Sequence, residues 1–155
     1  MVKTLQAMRE LELVVAEFYG LCGASWKEDA EMWLNIEQTE RQHAQYIERI
    51  IKLLKEKPEH FEIGCTLDIG TVQKEIADLG GSIRKMKEGA LDRREALLIL
   101  GAAEESILEC QYTEMIVTRD IDYNYWISEI VSQTETHKRF IARKIEELTQ
   151  QSGEA

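Results

Sequence analysis

Leu5, Met8, Glu12, Val15 and Tyr19 recur at spacings of three and four near the amino end, the period of one face of an α-helix. The pattern predicts a first helix over residues 4–21, with Gly20 and Gly23 marking its end. Ser25 followed by Glu28 reads as a capping box that starts a second helix near Trp26. That helix carries Trp33, Ile36, Glu40, His43, Ile47, Ile50 and Leu54 on one stripe and stops at Pro58. Residues 58–91 read as a glycine-containing connection, with a shorter helix over 71–87 interrupted at Gly80 and Gly81. A third long helix is expected over 92–119, striped by Leu98, Ala102, Glu105, Leu108, Tyr112 and Met115. A fourth, over 122–150, is striped by Ile127, Ile130, Thr134, His137, Ile141, Ile145 and Leu148, and residues 151–155 read as a disordered tail. Two short turns and one long connection describe an all-α, four-helix bundle of two antiparallel hairpins joined by a crossover, in a single domain over 1–150.

Each long stripe is interrupted by charged or imidazole groups at one level. Glu12 stands on the first stripe, Glu40 and His43 on the second, Glu105 on the third and His137 on the fourth. Glu105 follows Glu12 by 93 residues and His137 follows His43 by 94, the mark of a duplicated hairpin. In an antiparallel hairpin, residues equidistant from the turn lie side by side. The midpoint of Glu12 and the Glu40/His43 pair falls near residue 27, and that of Glu105 and His137 falls at residue 121, both at expected turns. An uncompensated buried charge costs several kcal/mol, against a total stability of only about 5–15 kcal/mol. Three buried carboxylates therefore need cations. Divalent metal is the economical candidate, and a structural carboxylate–histidine network is the competing reading.

Composition narrows the function classes. The 155 residues carry a formal charge of -10 and one proline. Such acidity argues against a nucleic-acid backbone or an anionic membrane surface as partner. Cys22, Cys65 and Cys110 are widely spaced with no Cys-x-x-Cys, which excludes a disulfide framework, a zinc ribbon and a rubredoxin-type iron centre. No stretch approaches the roughly 18 apolar residues that span a bilayer, and the amino end lacks a signal-peptide core. A soluble, cytoplasmic protein is expected.

Glu12 with Phe18-Tyr19, the run Glu40-Arg41-Gln42-His43-Ala44, Glu105 with Tyr112-Thr113-Glu114-Met115, and His137-Lys138-Arg139-Phe140 together resemble the rubrerythrin branch of the ferritin-like superfamily. The resemblance implies a ferritin-like fold whose first and third helices each supply a carboxylate, and whose second and fourth each supply Glu-x-x-His, around two iron or manganese ions. Glu12, Glu40, His43, Glu105 and His137 match that pattern as metal ligands. Thr134 stands where the pattern asks for glutamate. Glu135 is the nearest substitute, displaced by about 100 degrees around a regular helix unless a π-bulge restores it. Glu109 is a further substitute. Two iron ions are the implied cofactor, and manganese or zinc suits the same mixed ligands.

The implied function is oxidoreductase chemistry of the oxidative-stress kind: reduction of hydrogen peroxide or dioxygen. With no rubredoxin cysteines in the chain, an external electron-donor protein would be required. Two alternatives stand beside it: a non-catalytic metal-binding or iron-handling protein, and a metal-free structural bundle acting through partners or as a homodimer. Tyr19 and Tyr112 are read as core packing, with hydrogen bonds to the ligands or the gating of radicals as the alternatives.

Overall fold

A computed structural model describes residues 1–106 and 112–153. The chain is mostly helical, as its composition implies. Helices α1 (Val2–Ser25) and α2 (Ala30–Glu56) pack along each other, α3 (Ile69–Lys87) lies against α1, and α4 (Arg93–Ser106) packs on α5 (Ile121–Gly153), which also touches α2. The expected Glu109 and Leu108 lie outside the described residues. No helix among the described residues is long and apolar enough to cross a membrane.

α1 runs beyond its expected end because its buried stripe continues through Phe18, Tyr19 and Cys22. Gly20 and Gly23 do not stop it. They let α2 come close: a Cβ at Gly20 would lie 2.7 Å from Glu37 Oε2, and one at Gly23 would lie 3.2 Å from Trp33 Cβ. Ser25 is consequently the last residue of α1 and forms no capping box. α2 begins instead after Asp29, a residue in the left-handed region at φ 60°. Aspartate tolerates that conformation better than most residues. Arg93 Nη2 and Lys144 Nζ, both at 2.9 Å from its carboxylate, tie this turn to α4 and α5.

α3 runs unbroken through Gly80 and Gly81. Asp68 caps it by accepting from the Thr71 amide at 3.0 Å, and its buried face of Val72, Leu79, Ile83 and Met86 joins the core. Asp92 and Glu95 form a reciprocal cap at the start of α4, with amide-to-carboxylate distances of 2.9 and 2.8 Å.

The third helix does not reach residue 119. Ile116–Thr118 form a strand, β2, paired antiparallel with β1 (Phe61–Ile63). Three β-branched residues, Ile116, Val117 and Thr118, favour extended backbone once a partner strand is present. α5 then starts after Asp120, which accepts from the Tyr123 amide at 3.0 Å, and extends to Gly153. The core joins the inner faces of the helices with Ile116 of β2 and the preceding Met115.

Candidate metal centre

The inner faces of four helices bring five ligand-bearing side chains together. Glu12 on α1, Glu40 and His43 on α2, Glu104 on α4 and His137 on α5 are all buried, none more than 6% exposed. Glu40 and His43 are three apart on α2, so one helical turn places both on the same face.

Glu40 is the centre of the cluster. Its Oε2 lies 3.2 Å from His43 Nδ1, and its Oε1 lies 2.6 Å from His137 Nδ1. Glu12 Oε2 approaches His43 Nδ1 at 3.7 Å, and Glu104 Oε1 approaches His137 Nδ1 at 3.5 Å. Two trios of ligand atoms result, Glu12/Glu40/His43 and Glu40/Glu104/His137, each with its atoms within 4.8 Å of one another. They share Glu40, and the two imidazole rings stack with centroids 6.1 Å apart.

Three atoms at this point have no hydrogen-bond partner: Glu12 Oε2, Glu40 Oε1 and His137 Nδ1. The 2.6 Å approach of His137 to Glu40 is thus a proximity without hydrogen-bond alignment. Buried polar atoms are normally paired. Three unpaired ones of metal-ligating type, all on members of the two trios, fit cation binding.

The outward sides of the ligands are held. Tyr19 on α1 donates to Glu104 Oε1 on α4 at 2.6 Å, and Tyr112 donates to Glu12 Oε1 on α1 at 2.7 Å. The two tyrosines therefore cross between the halves of the molecule, each steadying the other half's carboxylate. His43 Nε2 lies 2.8 Å from Gln133 Oε1, and Gln133 in turn donates to Glu129 at 3.2 Å. With the amide oxygen facing it, Nε2 carries a proton, which leaves Nδ1 as the nitrogen that faces the carboxylates and can hold either a proton or a metal ion.

Electrostatics show what so many charges do without metal. Burial, reinforced by the charge of Glu40, pushes the Glu12 carboxyl up to about 8. Burial and the same charge also raise Glu104. For Glu40, burial acts upward but is outweighed by His43 and His137, which hold its carboxyl well below the usual range. Burial acts downward on His137, yet Glu104 and Glu40 outweigh it and raise the imidazole to about 9. His43 is likewise raised well above its ordinary value, burial being overcome by Glu40 and Glu12. Protons neutralise the cluster where cations would otherwise do so.

Glu105, expected on the inner face, is exposed; its neighbour Glu104 takes the inward place at 2% exposure. The stripe of α4 is Ala96, Leu97, Leu100, Ala103 and Glu104, while Leu98 is 49% exposed. The apolar run from Leu97 to Leu100 supports either register, and packing on α5 selects one: a Cβ at Gly101 would lie 3.3 Å from Ile141. Glu135 is also turned outward, near Lys138 at 3.6 Å. It lines a surface groove with Glu105 and contributes nothing to the cluster. Thr134 occupies the inward position and is 2% exposed.

Gln133 gave no signal in the apolar pattern. The adjacent pair Glu104-Glu105 did offer a signal, since Leu97, Leu100 and Glu104 have the same helical spacing as the stripe first read. Comparison of the chain with protein-family models, with characterised proteins and with solved structures found no match.

Proposed function

We propose that this chain is a ferritin-like, rubrerythrin-like protein that holds two transition-metal ions, iron foremost with manganese or zinc as competitors, and uses them to reduce hydrogen peroxide or dioxygen. The observation that carries the reading is the pair of buried ligand trios sharing Glu40, with three unpartnered atoms among their members. Mixed carboxylate and imidazole donors suit these metals. In this reading Glu12, Glu40 and His43 would hold one ion and Glu40, Glu104 and His137 the other. Bound ions would supply the redox electrons.

The protein's own residues do the rest. Tyr19 and Tyr112 fix the carboxylates in orientation, and Gln133 fixes the imidazole tautomer of His43. The inner helix faces keep bulk water away from the cluster, as the burial of all five groups requires. Reducing equivalents come from a separate donor protein.

A second reading, metal binding without turnover, is favoured by one observation: α5 supplies an imidazole but no carboxylate, since Thr134 stands one turn before His137. Elemental analysis of protein produced with iron tests both, beside a Glu40→Ala control. Two ions per chain, lost in the control, with iron oxidation on repeated peroxide additions, support the first reading. Bound iron that oxidises only once supports the second. Absence of metal, with an unchanged melting temperature in chelator, overturns both and leaves a structural bundle.

A further inference from the structure

Glu129 and Gln133 stand four apart on α5, the spacing that places side chains one turn above another. Gln133 reaches across to α2, where its Oε1 lies 2.8 Å from His43 Nε2, and its own Nε2 donates to Glu129 Oε2 at 3.2 Å. Both residues are half-buried, at the rim of the cluster, and neither belongs to the ligand trios. Among the described residues Glu129 has no cation within ion-pair distance, and its hydrogen-bond partner is the Gln133 amide.

A glutamine amide presents two unlike ends, an oxygen that only accepts and an NH2 that only donates. Turned over, Gln133 would set its oxygen against the Glu129 carboxylate, acceptor facing acceptor, and its NH2 against His43. A carboxylate is acceptor-only when ionised, so Glu129 selects the orientation observed, with the oxygen toward the ring. His43 Nε2 must then hold a proton in order to donate. The nitrogen that faces Glu12 and Glu40, at 3.7 and 3.2 Å, is Nδ1. Glu129 thus acts on the ring without touching it.

Resting on the two-ion reading above, we propose that Glu129 is a positioning residue: through the Gln133 amide it keeps a proton on His43 Nε2 and so commits Nδ1 to the cation held with Glu12 and Glu40. The stripe of apolar positions assigns Glu129 no role, since it lies one helical turn outside the contact with α2. Its charge reaches the site because an amide can be oriented at one end by a carboxylate and read at the other by an imidazole. His137 lies further along α5, and its ring nitrogen Nδ1 faces Glu40 and Glu104 instead. It serves as the internal control.

The test uses the full chain with isotope-labelled histidine, loaded with zinc(II). Long-range proton–nitrogen correlations read which ring nitrogen carries a proton and which carries zinc, and competition with a chelator reads affinity. Wild type should show a proton on His43 Nε2 and zinc on Nδ1. Glu129→Leu should weaken zinc binding about tenfold, with the His137 signals unmoved as the sign of an intact fold. Glu129→Lys should cost roughly a further tenfold, because an ammonium donates to the Gln133 oxygen and turns the NH2 against a protonated ring nitrogen. In a Gln133→Leu background the Glu129→Lys change should alter affinity by less than about twofold, since nothing then connects it to the ring. An equal penalty with and without Gln133 would mean that the charge acts through space, and it overturns the relay. Zinc on His43 Nε2 in wild type, or unchanged affinity in Glu129→Leu, overturns it as well. A wild-type chain that takes up no zinc overturns the metal-site reading instead. The relay then stands or falls on the metal-free chain, where Glu129→Leu should speed exchange of the His43 Nε2 proton with water roughly fivefold.

Discussion

Glu104 and Glu105 are chemically identical, and a single helical step decides which one can touch a cation. On the two-ion proposal, Glu104→Gln should lower metal content from about two ions per chain to about one, while Glu105→Gln should leave it unchanged, as elemental analysis would show. Glu40, shared by both trios, should be the most costly to remove, with both ions lost in Glu40→Ala. Gln133→Leu leaves the five ligands in place but releases His43 Nε2. Loss of such an outer partner weakens metal binding by about 10- to 100-fold, measurable by competition with a chelator of known affinity. The level of the cluster, four of its five members and the absence of a carboxylate at position 134 were legible in the sequence, because stripes interrupted at one height are hard to produce otherwise. The fifth was not, because the run Leu97-Leu98-Ile99-Leu100 is apolar on every side and leaves the rotation of α4 to its packing partners. Gln133 was invisible for a different reason: a neutral polar residue at the rim of a stripe looks like any exposed one.

At the scale of elements, glycines carried the most misleading signals. Gly20 and Gly23 resemble a helix end in the sequence, yet they are places where α1 and α2 touch. Which meaning applies depends on a partner surface that local sequence does not encode. Gly80 differs again, since nothing lies within 4 Å of a Cβ placed there, and α3 runs straight through it. Gly80→Ala should therefore stabilise the protein by about 0.5–1 kcal/mol, seen as a higher denaturant midpoint. Gly64 should respond with the opposite sign. Its Cβ would collide with the backbone carbonyl of Glu114, next to the amide hydrogen bonds that extend the β1–β2 pairing. A backbone cannot swing aside as a side chain can, so Gly64→Ala should destabilise by about 1–3 kcal/mol without changing metal content. The ribbon itself escaped the periodicity reading because three-residue strands are too short to show a period of two.

Across the whole molecule the cluster links stability to pH and, on the two-ion proposal, would link it to metal, because protons and cations would compete for the same buried atoms. Without metal, His137 is raised to about 9 from 6.5. Its contribution to stability is therefore fully present below pH 6.5 and lost as pH rises to about 9. Glu12 acts with the same sign: its carboxyl is raised from 4.5 to about 8, so the folded chain holds a proton that the unfolded chain releases, and stability falls between those values. Glu40, held below its ordinary range, acts oppositely but only at pH near or below 4.5. The metal-free protein should thus lose melting temperature steadily from pH 6 to pH 9. Cation binding at this cluster would have to expel the protons from His43, His137 and Glu12, so affinity would rise with pH over the same interval. The two effects reinforce each other in one observable, the drop in melting temperature caused by a chelator. That drop should be small at pH 6 and large at pH 8.5, measured by differential scanning calorimetry on the loaded chain. A drop independent of pH would mean that the metal is held somewhere other than among these five residues.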